Sequence, residues 1–270
     1  MPTKLEEIVA AARRRVAVAK SRPNVRTLGL AAKDHAPRGF RQRLHETAGV
    51  AVIAELKKTS PSKGLIRPNF RVAELARELE AAGAAALSVL TDEEYFGGSL
   101  NNLDLASAVT VLPCLRKDFI VDEYQVVEAR AHHADAILLI VAALEPAELI
   151  NLQRRARELQ LDVLCEVHDA AELQRALDAG FDMIGVNNRD LHTFRVDLKT
   201  SLTLAERMPA GVVKVAESGI GGADDVAKLR QAGFDAFLIG ESLMRAASPG
   251  AALQELLSQS AAVDKQRNLV

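Results

Sequence analysis

Net charge is the first thing this sequence lacks. Its 270 residues set 34 Lys and Arg against 36 Asp and Glu, which leaves a formal charge of −2. A chain so evenly balanced exerts no general pull on nucleic acid, and no nucleic-acid partner is expected. The local run Arg13-Arg14-Arg15 reads as the solvated face of a helix. Cysteine is nearly missing too. Cys114 and Cys165 each sit inside an apolar, strand-like run. They read as buried free thiols in a reducing cytoplasm, and no clustered Cys/His spacing suggests a disulfide or a metal site. Long apolar runs are absent. The longest covers residues 136–144, well short of the ~20 residues that span a bilayer, so no membrane partner is expected. The opening MPTKLEEIVAAARRR carries early acids and no continuous apolar stretch, which argues against a secretory leader. No G-x-G-x-x-G occurs, and this speaks against a dinucleotide-binding open sheet. Linkers, low-complexity segments and charge blocks are missing as well.

What the sequence does have is a rhythm. Short aliphatic runs recur at 50–54, 86–90, 111–115, 136–141, 162–167, 183–186, 212–216 and 236–239. Amphipathic stretches lie between most of them, at 72–81, 123–131, 146–159, 170–179 and 224–231. Three of these stretches finish in Ala-Gly, at Gly83, Gly180 and Gly233. Glycine just past a helix end supplies a left-handed C-cap at no steric cost. The repeat is about 25 residues, as expected when ~250 residues are shared among eight βα units. The strands are apolar on both faces, as parallel strands covered by helices must be. Together these features predict an α/β fold, a closed (β/α)8 TIM barrel over residues 47–262. Residues 1–46, with a helix at 4–20, are expected to form a helical extension packed on the barrel, and 263–270 a tail.

In such a barrel, function gathers at the C-terminal ends of the strands. The first strand ends in Glu55-Leu56-Lys57, the third in Arg116-Lys117-Asp118-Phe119 and the fifth in Cys165-Glu166-Val167-His168. The sixth ends in Asn187-Asn188-Arg189-Asp190 and the seventh in Glu217-Ser218-Gly219. The eighth ends in Gly240-Glu241-Ser242. Side chains alternate faces along a strand, so Glu55 and Lys57 share one. A structural ion-pair layer would explain one such strand. Charged groups recurring from one strand end to the next point to a site. The Gly-bearing ends of the last two strands suit a phosphate, which barrels often hold there on backbone N–H groups.

These same residues resemble the indole-3-glycerol phosphate synthase family. The matching motifs are Ala54-Glu55-Leu56-Lys57-Lys58-Thr59-Ser60-Pro61-Ser62, Tyr95-Phe96-Gly97-Gly98-Ser99, Arg116-Lys117-Asp118-Phe119, Val186-Asn187-Asn188-Arg189-Asp190-Leu191, Ala216-Glu217-Ser218-Gly219 and Ile239-Gly240-Glu241-Ser242. They follow the family's order across nearly the whole chain after the extension. A single barrel is expected, without the isomerase barrel fused to some relatives.

The resemblance implies an enzyme of tryptophan biosynthesis that needs neither metal nor organic cofactor. It would close the indole ring of 1-(2-carboxyphenylamino)-1-deoxyribulose 5-phosphate with loss of carbon dioxide and water. It places catalysis at Glu55, Lys57, Lys117, Glu166, Asn187, Glu217 and Ser218, with Lys117 the acid of ring closure. Glu166 and Lys57 would share the dehydration, with Glu55 holding Lys57. Pro61, Phe96, Phe119, Leu138 and Leu191 would hold the anthranilate ring, and Arg189 or Lys57 would meet its carboxylate. Ser60, Gly219 and Gly240 would meet the phosphate. Glu241, where some members carry a smaller residue, is a departure. A monomer or small homo-oligomer is expected. Two other classes remain: a different sugar-phosphate enzyme on the same barrel, such as an isomerase, and a non-catalytic phosphate binder. The first-strand Glu-x-Lys before Ser-Pro-Ser argues against the former, and intact Lys117 and Glu166 against the latter.

Overall fold

The computed structural model describes residues 3–21, 25–190, 193 and 195–267. Its centre is a closed barrel of eight parallel strands. They are β1 (Ala51–Leu56), β2 (Ala86–Leu90), β3 (Cys114–Lys117), β4 (Ala136–Ile140), β5 (Asp162–Val167), β6 (Met183–Asn187), β7 (Val213–Glu217) and β8 (Ala236–Ile239). Each strand pairs with its neighbours in chain order, and β8 returns to β1 with Ala51 level with Ala236. The expected (β/α)8 barrel is therefore what the chain forms.

Strand bounds fall within a residue or two of the expected runs, with one correction. The third strand starts at Cys114, not at residue 111. Pro113 has no N–H to give a ladder, and Val111 is 81% exposed. Helices surround the barrel as the period requires. They include α1 (Lys4–Lys20), α2 (Val25–Ala31), α3 (Phe40–Glu46), α4 (Val72–Ala81), α5 (Glu93–Phe96), α6 (Leu100–Val109), α7 (Glu123–Ala131), α8 (Pro146–Glu158), α9 (Ala170–Asp178), α10 (Lys199–Ala205), α11 (Ala223–Gln231), α12 (Glu241–Arg245) and α13 (Pro249–Arg267). The stops at Gly83, Gly180 and Gly233 all have positive φ, at 97°, 75° and 89°. Helix α13 continues to Arg267, past residue 263 where a tail was expected to begin.

Two apolar clusters divide the labour. The larger joins the outer strand faces, through Val52, Leu87, Ile137 and Ile184, to the surrounding helices. The smaller fills the barrel itself with Ile53, Leu115, Leu138, Leu164, Val215 and Leu238, and Phe40 and Leu44 of α3 pack into the same cluster. Helix α3 thus plugs the N-terminal end and leaves the C-terminal end open.

Helix α1 lies against the barrel. A capping box between Thr3 and Glu6 starts it, and Ile8, Ala12 and Val16 are buried beneath it. The arginine run is more than a solvated face. Arg13 pairs with Glu148 of α8 at 2.9 Å, and Arg15 with Asp92 at the end of β2 at 2.7 Å. These bridges join α1 to the barrel at two points.

Candidate active site

Four odd-numbered strands each send one charged side chain into the open end of the barrel. β1 supplies Glu55, β3 Lys117, β5 Glu166 and β7 Glu217, and all four border one cavity of about 650 Å³. Alternate strands contributing to a common layer is the ordinary packing rule of this fold. Here that layer is ionic. Lys117 Nζ donates to Glu166 Oε2 at 2.9 Å and stands 3.3 Å from Glu217 Oε2. Glu55 accepts from Lys57, one turn of the pleat above it.

The surroundings set each charge. Burial alone would push the Lys117 amine toward neutrality. The Glu166, Glu217 and Glu55 carboxylates overcome this and hold its pKa well above the usual lysine value. Burial would likewise raise Glu166, but Lys117 and His168 keep its carboxyl well below the usual range. Glu217 goes the other way. Burial dominates, Lys117 offsets it only in part, and Glu166 and Glu55 add repulsion, so its pKa is pushed up to about 7. The layer therefore holds a firm cation, a firm anion and an acid poised near neutrality.

The other expected residues converge on the same cavity. Ser60, Pro61, Phe96, Phe119, Leu138, Asn187, Arg189, Ser218, Gly219, Gly240 and Glu241 all line it. Leu191 lies outside the described residues. Phe96 and Phe119 form an apolar wall with ring centroids 6.3 Å apart. Asn187 donates to Glu166 Oε1 at 3.1 Å while its own oxygen accepts from the Arg189 N–H at 3.0 Å. The Ser60 hydroxyl is buried without a hydrogen-bond partner. Ser218 and Gly219 both take the left-handed conformation, with φ of 64° and 78°. Such backbone strain in a non-glycine residue is a mark of functional sites. The Asn188 side chain holds this turn by donating to the Glu217 and Ser218 carbonyls.

Two glycines are explained by the carboxylates beside them. A Cβ on Gly240 would lie 2.3 Å from Glu55 Oε1, and one on Gly185 would lie 2.1 Å from Glu217 Oε1. Gly240 thus makes room for Glu55, whatever else its backbone meets. Glu241 stands between two cations, 3.8 Å from Arg189 and 3.2 Å from Arg245.

A model of the indole-3-glycerol phosphate synthase family matches residues 5–256. The chain belongs to the indole-3-glycerol phosphate synthase family. It is 60% identical to an indole-3-glycerol phosphate synthase of Koribacter versatilis over 95% of this chain and 100% of that protein. A second such synthase, from Laribacter hongkongensis, is 51% identical over 96% of this chain and 97% of its own length. Among solved structures, 3-hexulose-6-phosphate synthase from Salmonella typhimurium superposes with a TM-score of 0.63 at 13% identity, over 78% of this chain and 99% of that one. That likeness shows the fold alone. Membership of the synthase family makes this chain a lyase of tryptophan biosynthesis, which closes a ring with loss of carbon dioxide.

In this member of the indole-3-glycerol phosphate synthase family, part of the cavity wall comes from outside the barrel. Lys4, Leu5 and Ile8 of α1 line the site. In the sequence, Leu5 and Ile8 carry only the signal of an apolar helix face. The segment after Lys57 is a small hairpin, with Thr59 opposite Leu65 and Ser60 opposite Gly64. Its far end is tied down by Arg67, which donates to the Met244 and Ala246 carbonyls at 3.0 and 2.9 Å. The hairpin tip, Pro61, Ser62 and Lys63, overhangs the cavity. Among the described residues, no helix is long and apolar enough to cross a membrane. Among them, too, no group of three His, Cys, Asp or Glu side chains could hold a metal ion.

Proposed function

We propose that the charged layer converts 1-(2-carboxyphenylamino)-1-deoxyribulose 5-phosphate to indole-3-glycerol phosphate, with Lys117 as the acid of ring closure. The observation that carries this reading is the enclosure of one ammonium by three carboxylates at the mouth of the barrel. Ring closure drives negative charge onto the ketone oxygen. A fixed cation stabilises that charge and a proton quenches it, and Lys117 supplies both. Carbon dioxide then leaves and aromaticity returns. The remaining hydroxyl departs as water, which needs an acid at the oxygen and a base for the proton lost from the ring. Glu166, held ionised, is the base. Lys57, held by Glu55, is the acid.

The anthranilate ring lies between Pro61, Phe96 and Phe119 above Leu138, and its carboxylate meets Arg189 or Lys57. The phosphate sits at the opposite end, on Ser60 and the backbone of Gly219 and Gly240. Glu241 keeps its carboxylate away from that phosphate by pairing with Arg189 and Arg245. The hairpin at 59–67 closes over the bound substrate. Addition of the carboxyphenylamino sugar phosphate to the purified protein should produce the fluorescence of an indole. No signal at any substrate concentration would overturn the reading.

A further inference from the structure

His168 is not part of the cavity wall, yet it is held, largely covered, between two acids. Its Nε2 stands 3.3 Å from Glu166 Oε1, and its Nδ1 stands 3.0 Å from Glu172 Oε2. Glu172 is itself fixed in the first turn of α9. It accepts the backbone N–H of His168 at 2.8 Å, and Asp169 caps its own N–H. Burial would lower the imidazole pKa, but Glu166 and Glu172 outweigh it and push it up to about 10. At neutral pH, His168 is therefore a cation set behind the catalytic base. Arg175, the cation on α9, is engaged elsewhere, with the Leu144 carbonyl at 2.7 Å. On the cavity side, Glu166 meets Lys117 and Asn187.

Those two sides behave differently during turnover. Lys117 loses its charge whenever it gives up a proton, and Glu166 then loses the ammonium that keeps it ionised. The charge on His168 lies outside the reacting groups and stays. We infer that His168, oriented by Glu172, is a positioning residue that keeps Glu166 an ionised and aimed base while Lys117 changes protonation state. This rests on the roles assigned above to Lys117 and Glu166.

The test is the pH profile of kcat and KM for His168→Gln, His168→Lys and Glu172→Gln. A base works only when ionised, so activity falls as pH drops through the pKa of Glu166. Removing the cation behind it raises that pKa. His168→Gln should therefore move the acid limb of kcat up by about one pH unit and, because Glu166 also loses its aim, lower the plateau kcat about tenfold, with KM nearly unchanged. Glu172→Gln should shift the limb the same way by less, and His168→Lys should restore it. An acid limb unmoved in both His168→Gln and Glu172→Gln would overturn the inference, as would kcat that merely follows the folded fraction. If His168→Gln does not fold, Glu172→Gln decides alone. Failure of the unmodified protein to make an indole counts against the parent reading instead.

Discussion

Each end of the barrel holds a buried acid, and the two are treated in opposite ways. At the plugged end, Asp135 has every acceptor filled. Its Oδ1 meets His35 at 3.0 Å and the Arg38 N–H at 2.7 Å, while its Oδ2 takes Arg38 Nη2 and the Cys114 N–H at 2.6 Å each. Burial would raise its pKa, but His35, Arg38 and the Cys114 N–H hold it below the ordinary value. At the open end, Glu217 has one cation at 3.3 Å, and its Oε1 is buried without a partner. Its pKa goes up. A fully satisfied acid fastens the chain, here tying the segment before α3 to the start of β4. An acid left with spare valence is costly to the fold and remains available to a ligand.

The comparison breaks most sharply at Lys117. Replacing it with Ala removes the cation of the open end and should cut kcat by ~10³–10⁴-fold, with circular dichroism and cooperative unfolding retained. Turnover close to the unmodified protein would take Lys117 out of the chemistry. The matching change at the closed end is Asp135→Asn, which leaves Arg38 and His35 facing a neutral amide. It should cost ~3–5 kcal/mol in a urea titration and leave kcat/KM alone. A loss of activity in folded Asp135→Asn protein would mean that the two ends are not separable.

The pH dependence of stability sharpens the contrast because the signs differ. The Asp135 pKa is lowered from 3.8, so its contribution is present above that value and fades as pH falls below it. Glu217 is raised from 4.5 to about 7, so the stability tied to its proton is whole below 4.5 and is lost as pH rises through 7. Glu217→Gln should therefore flatten the stability curve across that window, by on the order of 2–3 kcal/mol. Parallel curves for the two proteins would mean that Glu217 is ionised throughout. The smallest effect concerns Glu55 and Lys57. In a double-mutant cycle of Glu55→Gln and Lys57→Met, the losses in kcat/KM should fall short of additivity by ~0.5–3 kcal/mol. Gly240→Ala, which crowds Glu55, should resemble Glu55→Gln more than a phosphate-site variant. Strict additivity would mean that the pair works as two separate residues.

Much of this was legible in the chain, and the reasons are local. Alternation along a strand places Glu55 beside Lys57, and the recurrent Ala-Gly stops mark the helix ends. What could not be read depends on closure. Gly240 looks like a turn glycine until β8 is laid beside β1 and its missing side chain proves to be space for Glu55. His168 follows β5 directly and stands two residues past Glu166, so the sequence already brings the two close. The third member, Glu172, stands four residues after His168 in the first turn of α9, and only the turn between them shows that it meets the imidazole. Arg13 and Arg15 look solvated in a one-dimensional pattern because their acids lie far away in sequence.

The pairing of β1 with β8 also bears on how the protein comes into being. Synthesis proceeds from the N-terminus, so α1 and β1 emerge first and must wait for β8 before the ring can shut. A nascent chain that has emerged only as far as β6 already carries Glu55, Lys117 and Glu166, but it lacks Glu217 of β7 and the Gly240 that follows β8. The full shift of Lys117 draws on Glu217 of β7 as well as on Glu166 and Glu55, so it is complete only once the later strands join the ring. Ribosome-bound fragments that stop before β8 should lack the closed cavity and give no indole fluorescence, whereas the released full-length chain should.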